Sequence, residues 1–358
     1  MSSPAPVESL VSRLAQAGDD AAWRETAKAA LSEHRGVLQR GFVAGETVER
    51  LIGKRCALID TLVTTAWQRC IDQSDSLTLL ATGGYGRGEL YPFSDIDLLV
   101  LAEPRVQKKC ESAMARFFAI LWDAGLATSH AVRSVDECVH AARDDIATLT
   151  SMMELRTLGG ADASRISLLT ALSAKKLWRP EQYFQSKREE QRARHVRYND
   201  TADNLEPNLK EGPGGLRDLH TVTWMGMRLY GVPGLRALVP LGLLGEVECA
   251  SLEQKWAEIA KLRFGLHLVA GRREERLLFD HQKSLATLMG LHDEEGNLAV
   301  EQMMQGFFRA AATMLRINDR LLQRFEEQLA VRGPRDRVYP HHLKWNKLTG
   351  SPRHHYHR

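Results

Sequence analysis

The segment Ala81–Ala102, ATGGYGRGELYPFSDIDLLVLA, decides how the chain is read. Its second half predicts a strand over Asp95–Ala102, and two aspartates stand one residue apart at the start of it. Side chains alternate faces along a strand. Asp95 and Asp97 therefore point the same way as Leu99, while Ile96, Leu98 and Val100 enter the opposite layer. Two like charges this close raise one carboxylate's pKa unless a cation neutralises them. Carboxylates at i and i+2 can jointly hold divalent cations about 3.5–4 Å apart, the spacing used in two-metal phosphoryl chemistry. Hard oxygen donors favour Mg²⁺ over zinc. Asp95 and Asp97 are thus the expected catalytic metal ligands, with Mg²⁺ as the cofactor.

The first half of the segment supplies the complement. Gly83 and Gly84 close a short predicted strand, Leu77–Thr82, and let the backbone approach a ligand. Their amides can cradle phosphate oxygens. Arg87, a forked donor, and Ser94 would stand near the same phosphates, and Glu89 would support the loop by hydrogen bonding. The ten residues from Tyr85 to Ser94 suffice for one helical turn and a return strand. The order GGxGxG differs from the dinucleotide-binding GxGxxG, the return is too short for a full crossover helix, and no GxxxxGK[ST] is present.

Outward from this core the chain turns helical. Two amphipathic stretches fill residues 1–70, Arg105–Asp123 places Val106, Cys110, Met114, Phe117, Phe118 and Leu121 on one face, and Ala127–Arg133 reads as a third strand before a helix capped by Asp136. Beyond about residue 145 the pattern predicts helices and no further strand. The expected fold class is α+β, a small mixed-sheet core at 71–145 between an N-terminal helical region (1–70) and a helical domain (146–330). Residues 331–358 carry His341, His342, His354, His355 and His357, lose apolar periodicity and read as a disordered or aberrant tail.

Bulk properties narrow the function classes. With 358 residues, 44% hydrophobic and 26% charged, the composition is that of a globular chain of two or three domains. A net charge of +3 does not suggest a non-specific nucleic-acid binder, and no apolar run reaches the eighteen or so residues of a membrane span. No signal-peptide pattern opens the chain, and five scattered cysteines without a CxxC pair fit a reducing, cytoplasmic setting.

A second site candidate is the loop Leu209–Asp218, LKEGPGGLRD. Its glycines predict a turn feeding a helix, with Asp218 in the first turn where the dipole favours negative charge. Lys210 and Arg217 could reach a triphosphate or a leaving pyrophosphate. Arg188, Arg192, Arg194 and Arg197 on the preceding helix read by default as a solvated face, of which one or two could line a nucleotide cleft. The dipeptide His292-Asp293 lies in an acidic turn and reads as structural.

Gly83-Gly84 followed by Asp95-Ile96-Asp97 resembles the signature of the polymerase-β-like nucleotidyltransferases. The fuller string GGYGRGELYPFSDIDLL, with RHVRYNDTADNLEPNLKEGPGGLRDLHT (Arg194–Thr221), resembles one branch, the bacterial PII uridylyltransferase/uridylyl-removing family, over roughly residues 20–330. The resemblance implies transfer of UMP from UTP to a tyrosine of the PII signal protein. Asp95 and Asp97 would be the metal ligands, Gly83 and Gly84 the phosphate cradle, and Arg87 and Ser94 phosphate contacts. It also implies that the family continues into a hydrolase domain and two sensor domains, which this chain is expected to lack. The superfamily usually takes a third carboxylate from a later strand. Here Ala127–Arg133 offers Thr128, Ser129 and His130 but no acid; His130 could act as base, the flanking Asp123 reads as solvent-facing and Asp136 as an N-cap, and the general base stays unassigned. The glutamine synthetase adenylyltransferase shares similar strings, and a catalytically silent binding module is the non-enzymatic alternative.

Overall fold

The computed structural model describes residues 7–72, 76–198 and 204–331. The histidine-rich tail lies outside them. In chain order the elements are α1 (Val7–Ala15), α2 (Asp20–Val43), α3 (Val48–Cys70), β1 (Thr78–Ala81), α4 (Gly83–Gly86), β2 (Ile96–Leu101), α5 (Pro104–Lys109), α6 (Glu111–Asp123), β3 (Thr128–Arg133), α7 (Val135–Asp144), α8 (Ile146–Met152), β4 (Arg156–Gly159), α9 (Asp162–Ala171), α10 (Pro180–Arg197), α11 (Leu216–Tyr230), α12 (Glu246–Ala270), α13 (Phe279–Leu288) and α14 (Ala299–Val331). The fold class is α+β, as the sequence predicts.

The chain divides into two compact units. Among the described residues, the first comprises those within 7–173, with 264–274 and 288–290; the second comprises those within 174–263, 275–287 and 291–331. At the centre of the first unit is a four-stranded mixed sheet in the order β3-β2-β1-β4. β1 runs antiparallel to β2, with Leu80 opposite Leu99, and antiparallel to β4, whereas β2 and β3 are parallel. Parallel neighbours need a crossover of a dozen or more residues, and α5 and α6 fill it. Every residue of β1 is buried, as expected of a strand covered on both faces. One layer is anchored by Phe117 of α6, edge-on to Trp67 of α3 with ring centroids 5.2 Å apart. Aromatic side chains bury 150–250 Å² each and dominate such cores.

Three expectations need correction. A strand does follow residue 145. β4 is only four residues long and sits at the sheet edge, too short for its RTLG to show a period. The predicted helix Arg105–Asp123 is two helices broken at Cys110, whose φ of −100° and ψ of 9° leave the helical range. The cap of α7 is Ser134 rather than Asp136. The Ser134 hydroxyl accepts from the Glu137 amide (3.2 Å) and the Glu137 carboxylate accepts from the Ser134 amide (2.6 Å), a reciprocal capping box.

The second unit is helical, with α11 packed on α10 and α14. Tyr230 of α11 meets Phe325 of α14 with ring centroids 5.5 Å apart, and Gly231 ends α11 in the left-handed region at φ 69°. No described helix is long and apolar enough to cross a membrane.

Candidate active site

β2 reads Ile-Asp-Leu-Leu-Val-Leu, and Asp97 is its one polar member. The carboxylate is tolerated because it lies at the end of the strand, beside the glycine turn. The Thr82 amide donates to the Asp97 carbonyl at 3.0 Å, tying the end of β1 to β2. The chain then enters the single helical turn α4 through Gly83 at φ 55°, a conformation that costs an L-residue about 1–2 kcal/mol. A Cβ on Gly83 would stand 3.4 Å from Asp97 Oδ2, so carboxylate and turn are neighbours. The amides of Gly83 and Gly84 fall in the first turn of α4, where backbone N–H groups lack intrahelical acceptors.

The turn is held from behind. Tyr85 is fully buried and its hydroxyl donates to Asp60 of α3 at 2.7 Å. Arg156 of β4 grips the same carboxylate with both terminal nitrogens, at 2.8 and 2.9 Å, and lies over the Tyr85 ring at 5.1 Å. Burial, then the Asp60 charge, pushes the Tyr85 hydroxyl far above its ordinary range, so it stays a neutral donor.

Arg87 caps α4. Its guanidinium binds Glu89 of the same loop, at 3.2 Å, and the buried Glu154. Burial lowers its pKa, but the charges of Glu89 and Glu154 outweigh that and hold the group cationic. Arg87 thus stands beside Gly84, where an added Cβ would lie 3.7 Å from its Nη2, with two carboxylates among its partners. Ser94 closes the next turn, its hydroxyl accepting from the Tyr91 amide at 3.1 Å. Asp95 precedes β2, is 42% exposed, and pairs with Arg273.

The parallel register sets Asp97 against Ser129 and Leu98 against His130. His130 is therefore on the face opposite Asp97, stacked on Phe118 with centroids 3.6 Å apart. This removes His130 as a general base. Asp123 is exposed and pairs with Arg24 at 2.7 Å, and Asp136 lies in the first turn of α7. Among the described residues, no three His, Cys, Asp or Glu side chains converge to hold a metal. A pair of carboxylates still fits magnesium-type chemistry, because such a cation commonly takes one or two protein carboxylates and completes its shell with water and substrate phosphates. The side chains that would hold it are Asp95 and Asp97, both partly open to solvent.

The second unit carries Lys210 and Arg217 in a self-closed loop. The Lys210 and Glu211 amides donate to Asn208 Oδ1 at 3.1 and 2.7 Å, and the Arg217 amide donates to the Lys210 carbonyl at 2.8 Å. Gly214, at φ 72°, passes so close to Ala311 of α14 that a Cβ would overlap that residue's backbone. Asp218 is fully buried at the start of α11. It accepts from the Gly214 amide (2.7 Å), Gln191 (2.8 Å) and Arg194 (2.6 Å), and lies 2.9 Å from His195 Nε2. Burial pushes its pKa up, but the His195 hydrogen bond and the Arg194 charge outweigh this and hold it below the usual range. Arg194 therefore departs from the predicted solvated face. Arg192 and Arg197 follow it, being exposed. Arg217 forks onto Glu211 and lies over Trp224 at 5.2 Å. Burial, then the charges of Arg263 and Arg217, lower the Lys210 pKa to about 8. Asp293 accepts from the Ala299 amide at 2.9 Å, in keeping with a structural role.

Both units match known families. Residues 63–146, from within α3 past β3, match the nucleotidyltransferase domain. Residues 182–322, from α10 into α14, match the GlnD PII-uridylyltransferase family. The chain is 52% identical over 309 residues to a bifunctional uridylyltransferase/uridylyl-removing enzyme of Xanthomonas euvesicatoria pv. vesicatoria, which covers 86% of this chain and 35% of that protein. The protein of the same name from Pseudomonas aeruginosa is 43% identical over 302 residues, covering 84% of this chain and 33% of the relative. The chain thus spans about a third of the length of these relatives. Nucleotidyltransferase domains of this kind generally use a divalent metal.

Asp60, Glu154, Arg156 and Arg273 were not expected at or behind these two loops. Only Asp60 left a signal, as a lone acid in the apolar run CALIDTLV. The others act across the fold, beyond the reach of local pattern.

Proposed function

We propose that the chain transfers UMP from UTP to a tyrosine hydroxyl of the PII signal protein, with Mg²⁺ as the metal and in the cytoplasm. The observation that carries this reading is the Asp97 carboxylate beside the left-handed Gly83 turn, inside the segment that matches a nucleotidyltransferase domain. The relatives' printed name supplies the uridylyl group, the matched family's description supplies PII, and the five free cysteines suit a reducing compartment.

In this reading the phenol oxygen attacks the α-phosphorus of UTP. The bond from that phosphorus to the oxygen bridging to the β-phosphate breaks, pyrophosphate leaves, and the phenol proton passes to solvent. Asp95 and Asp97 would hold the divalent cation, which when bound would neutralise phosphate charge and align the leaving group. Gly83 and Gly84 offer amides to phosphate oxygens, and Ser94 and Arg87 fix the edges of that cradle, Arg87 from within its pair of carboxylates. Residues 71–145 form the transferase core in this reading, and the helical domain of residues 146–330 carries Lys210 and Arg217 as candidate phosphate ligands.

The test is transfer of label from UTP radioactive at the α-phosphate to PII in the presence of Mg²⁺. The wild-type chain should label PII. Asp97→Asn should lose at least about a hundredfold in rate while keeping its thermal midpoint. Unchanged labelling by a folded Asp97→Asn variant would overturn the assignment. Equal labelling of PII from ATP would overturn the choice of UTP as the donor.

A further inference from the structure

The last turns of α12 and the residues after them belong to the first unit. Phe264 stacks on Phe42 with centroids 6.1 Å apart and meets Tyr91 at 6.4 Å. His267 is fully buried, its ring 6.0 Å from Tyr91 and 6.4 Å from Phe93, and its Nδ1 accepts from the Phe93 amide at 3.4 Å. The end of α12 is thereby fastened to residues 91–93, immediately before Ser94 and Asp95. Gly271, at φ 65°, then ends the helix and turns the chain. Arg272 pairs with Glu274 at 2.7 Å, and Arg273 pairs with Asp95.

This places a guanidinium on a carboxylate that the proposed function assigns to a divalent cation. The pair is half exposed on both sides, 48% for Arg273 and 42% for Asp95. Exposed ion pairs of this kind are weak and exchange readily. A divalent cation on Asp95 and a guanidinium on the same carboxylate repel each other. A nucleotide arriving with the cation brings phosphate oxygens, which a planar fork binds in two-pronged fashion at least as well as a carboxylate.

We propose that Arg273 is a phosphate-binding residue of the nucleotide site that alternates between two anions. Without nucleotide it neutralises Asp95, and when the metal–nucleotide complex takes Asp95 it moves to the triphosphate. The inference rests on the reading of Asp95 and Asp97 as metal ligands. Arg273 then has two opposed effects on ligand binding, competing with the bare metal and assisting the nucleotide. A structural residue would not show that opposition.

The experiment measures two affinities on the full chain. Free Mn²⁺ is followed by electron paramagnetic resonance without nucleotide, and a uridine triphosphate analogue with a non-cleavable α,β-bridge is titrated calorimetrically in saturating Mn²⁺. Arg273→Ala should bind bare Mn²⁺ about threefold more tightly, the size expected for loss of an exposed competing pair. The same variant should bind the analogue on the order of tenfold more weakly, the size expected for loss of a charge-assisted pair of hydrogen bonds. Arg273→Lys keeps the charge without the fork and should restore most of the competition with Mn²⁺ but little of the analogue affinity. If Asp97→Asn abolishes Mn²⁺ binding while Arg273→Ala moves both affinities in the same direction or neither, the Arg273 proposal is overturned and the metal site stands. If Mn²⁺ binding is the same in the wild type and Asp97→Asn, the metal site falls and takes the proposal with it.

Discussion

Asp97 and Gly83 show how much one pair of residues can disclose. A carboxylate in a run of Leu, Ile and Val has no structural reason to be there, and two glycines ahead of it say that backbone must come close to something. Both signals are local, so both could be read from the sequence, and the structure sets the two side by side. Arg273 could not be read that way. It lies 178 residues from Asp95, and nothing in GRREERL separates it from the arginine before it. Lys210 is intermediate, since its loop was visible but its burial was not. That burial makes a prediction. The folded pKa of about 8 lies below the ordinary lysine value, so Lys210 loses its charge as pH rises through 8. If Lys210 meets phosphate, the dissociation constant for Mg–UTP should rise on the order of tenfold between pH 7 and pH 9. Lys210→Arg, charged throughout, should stay flat over that range. The same rise in both proteins would separate Lys210 from the nucleotide.

At the level of elements, strong periodicity was legible and short or bent pieces were not. The strands β1, β2 and β3 were each predicted within about a residue of where they lie. β4 was missed because four residues at a sheet edge carry no pattern, and the α5–α6 break was missed because Val106, Cys110 and Met114 keep the four-residue spacing of one continuous helix across it. The cluster at the start of α11 is the element most dependent on long-range pairing. Asp218 is wholly buried and balances Arg194, 24 residues away, while also fixing the Gly214 amide. Removing one partner of such a buried pair leaves an uncompensated charge. Asp218→Asn should therefore cost about 3–5 kcal/mol of stability, measured by urea denaturation. The sign with pH follows from the lowered folded pKa of Asp218. Its contribution is complete above the unfolded value of about 3.9 and is lost as pH falls toward the folded value. The wild type should lose stability over that acid range more steeply than Asp218→Asn. Parallel acid profiles would show that Asp218 is not the titrating group.

Across the whole molecule, the α+β class and the helical second half were legible because short apolar strands bounded by glycines cluster within residues 77–133 and helical spacing dominates after them. The partition into two units was less so. Residues 264–274 join the sheet-bearing unit although they follow ninety residues of the other, and the fastening of His267 against residues 91–93 is a contact that no local pattern announces. The two family matches fall one on each side of that partition: residues 63–146 lie in the first unit, and residues 182–322 lie mostly in the second. The proposed chemistry therefore depends on what the Asp95–Asp97 pair holds. Crystals grown with Mn²⁺ and the non-cleavable uridine analogue, measured at the manganese absorption edge, give the most direct answer. The proposed chemistry predicts an anomalous peak bound by the Asp95 and Asp97 carboxylates, with phosphate oxygens against the Gly83 and Gly84 amides. A nucleotide bound elsewhere, or manganese absent from both carboxylates with nucleotide present, would contradict it.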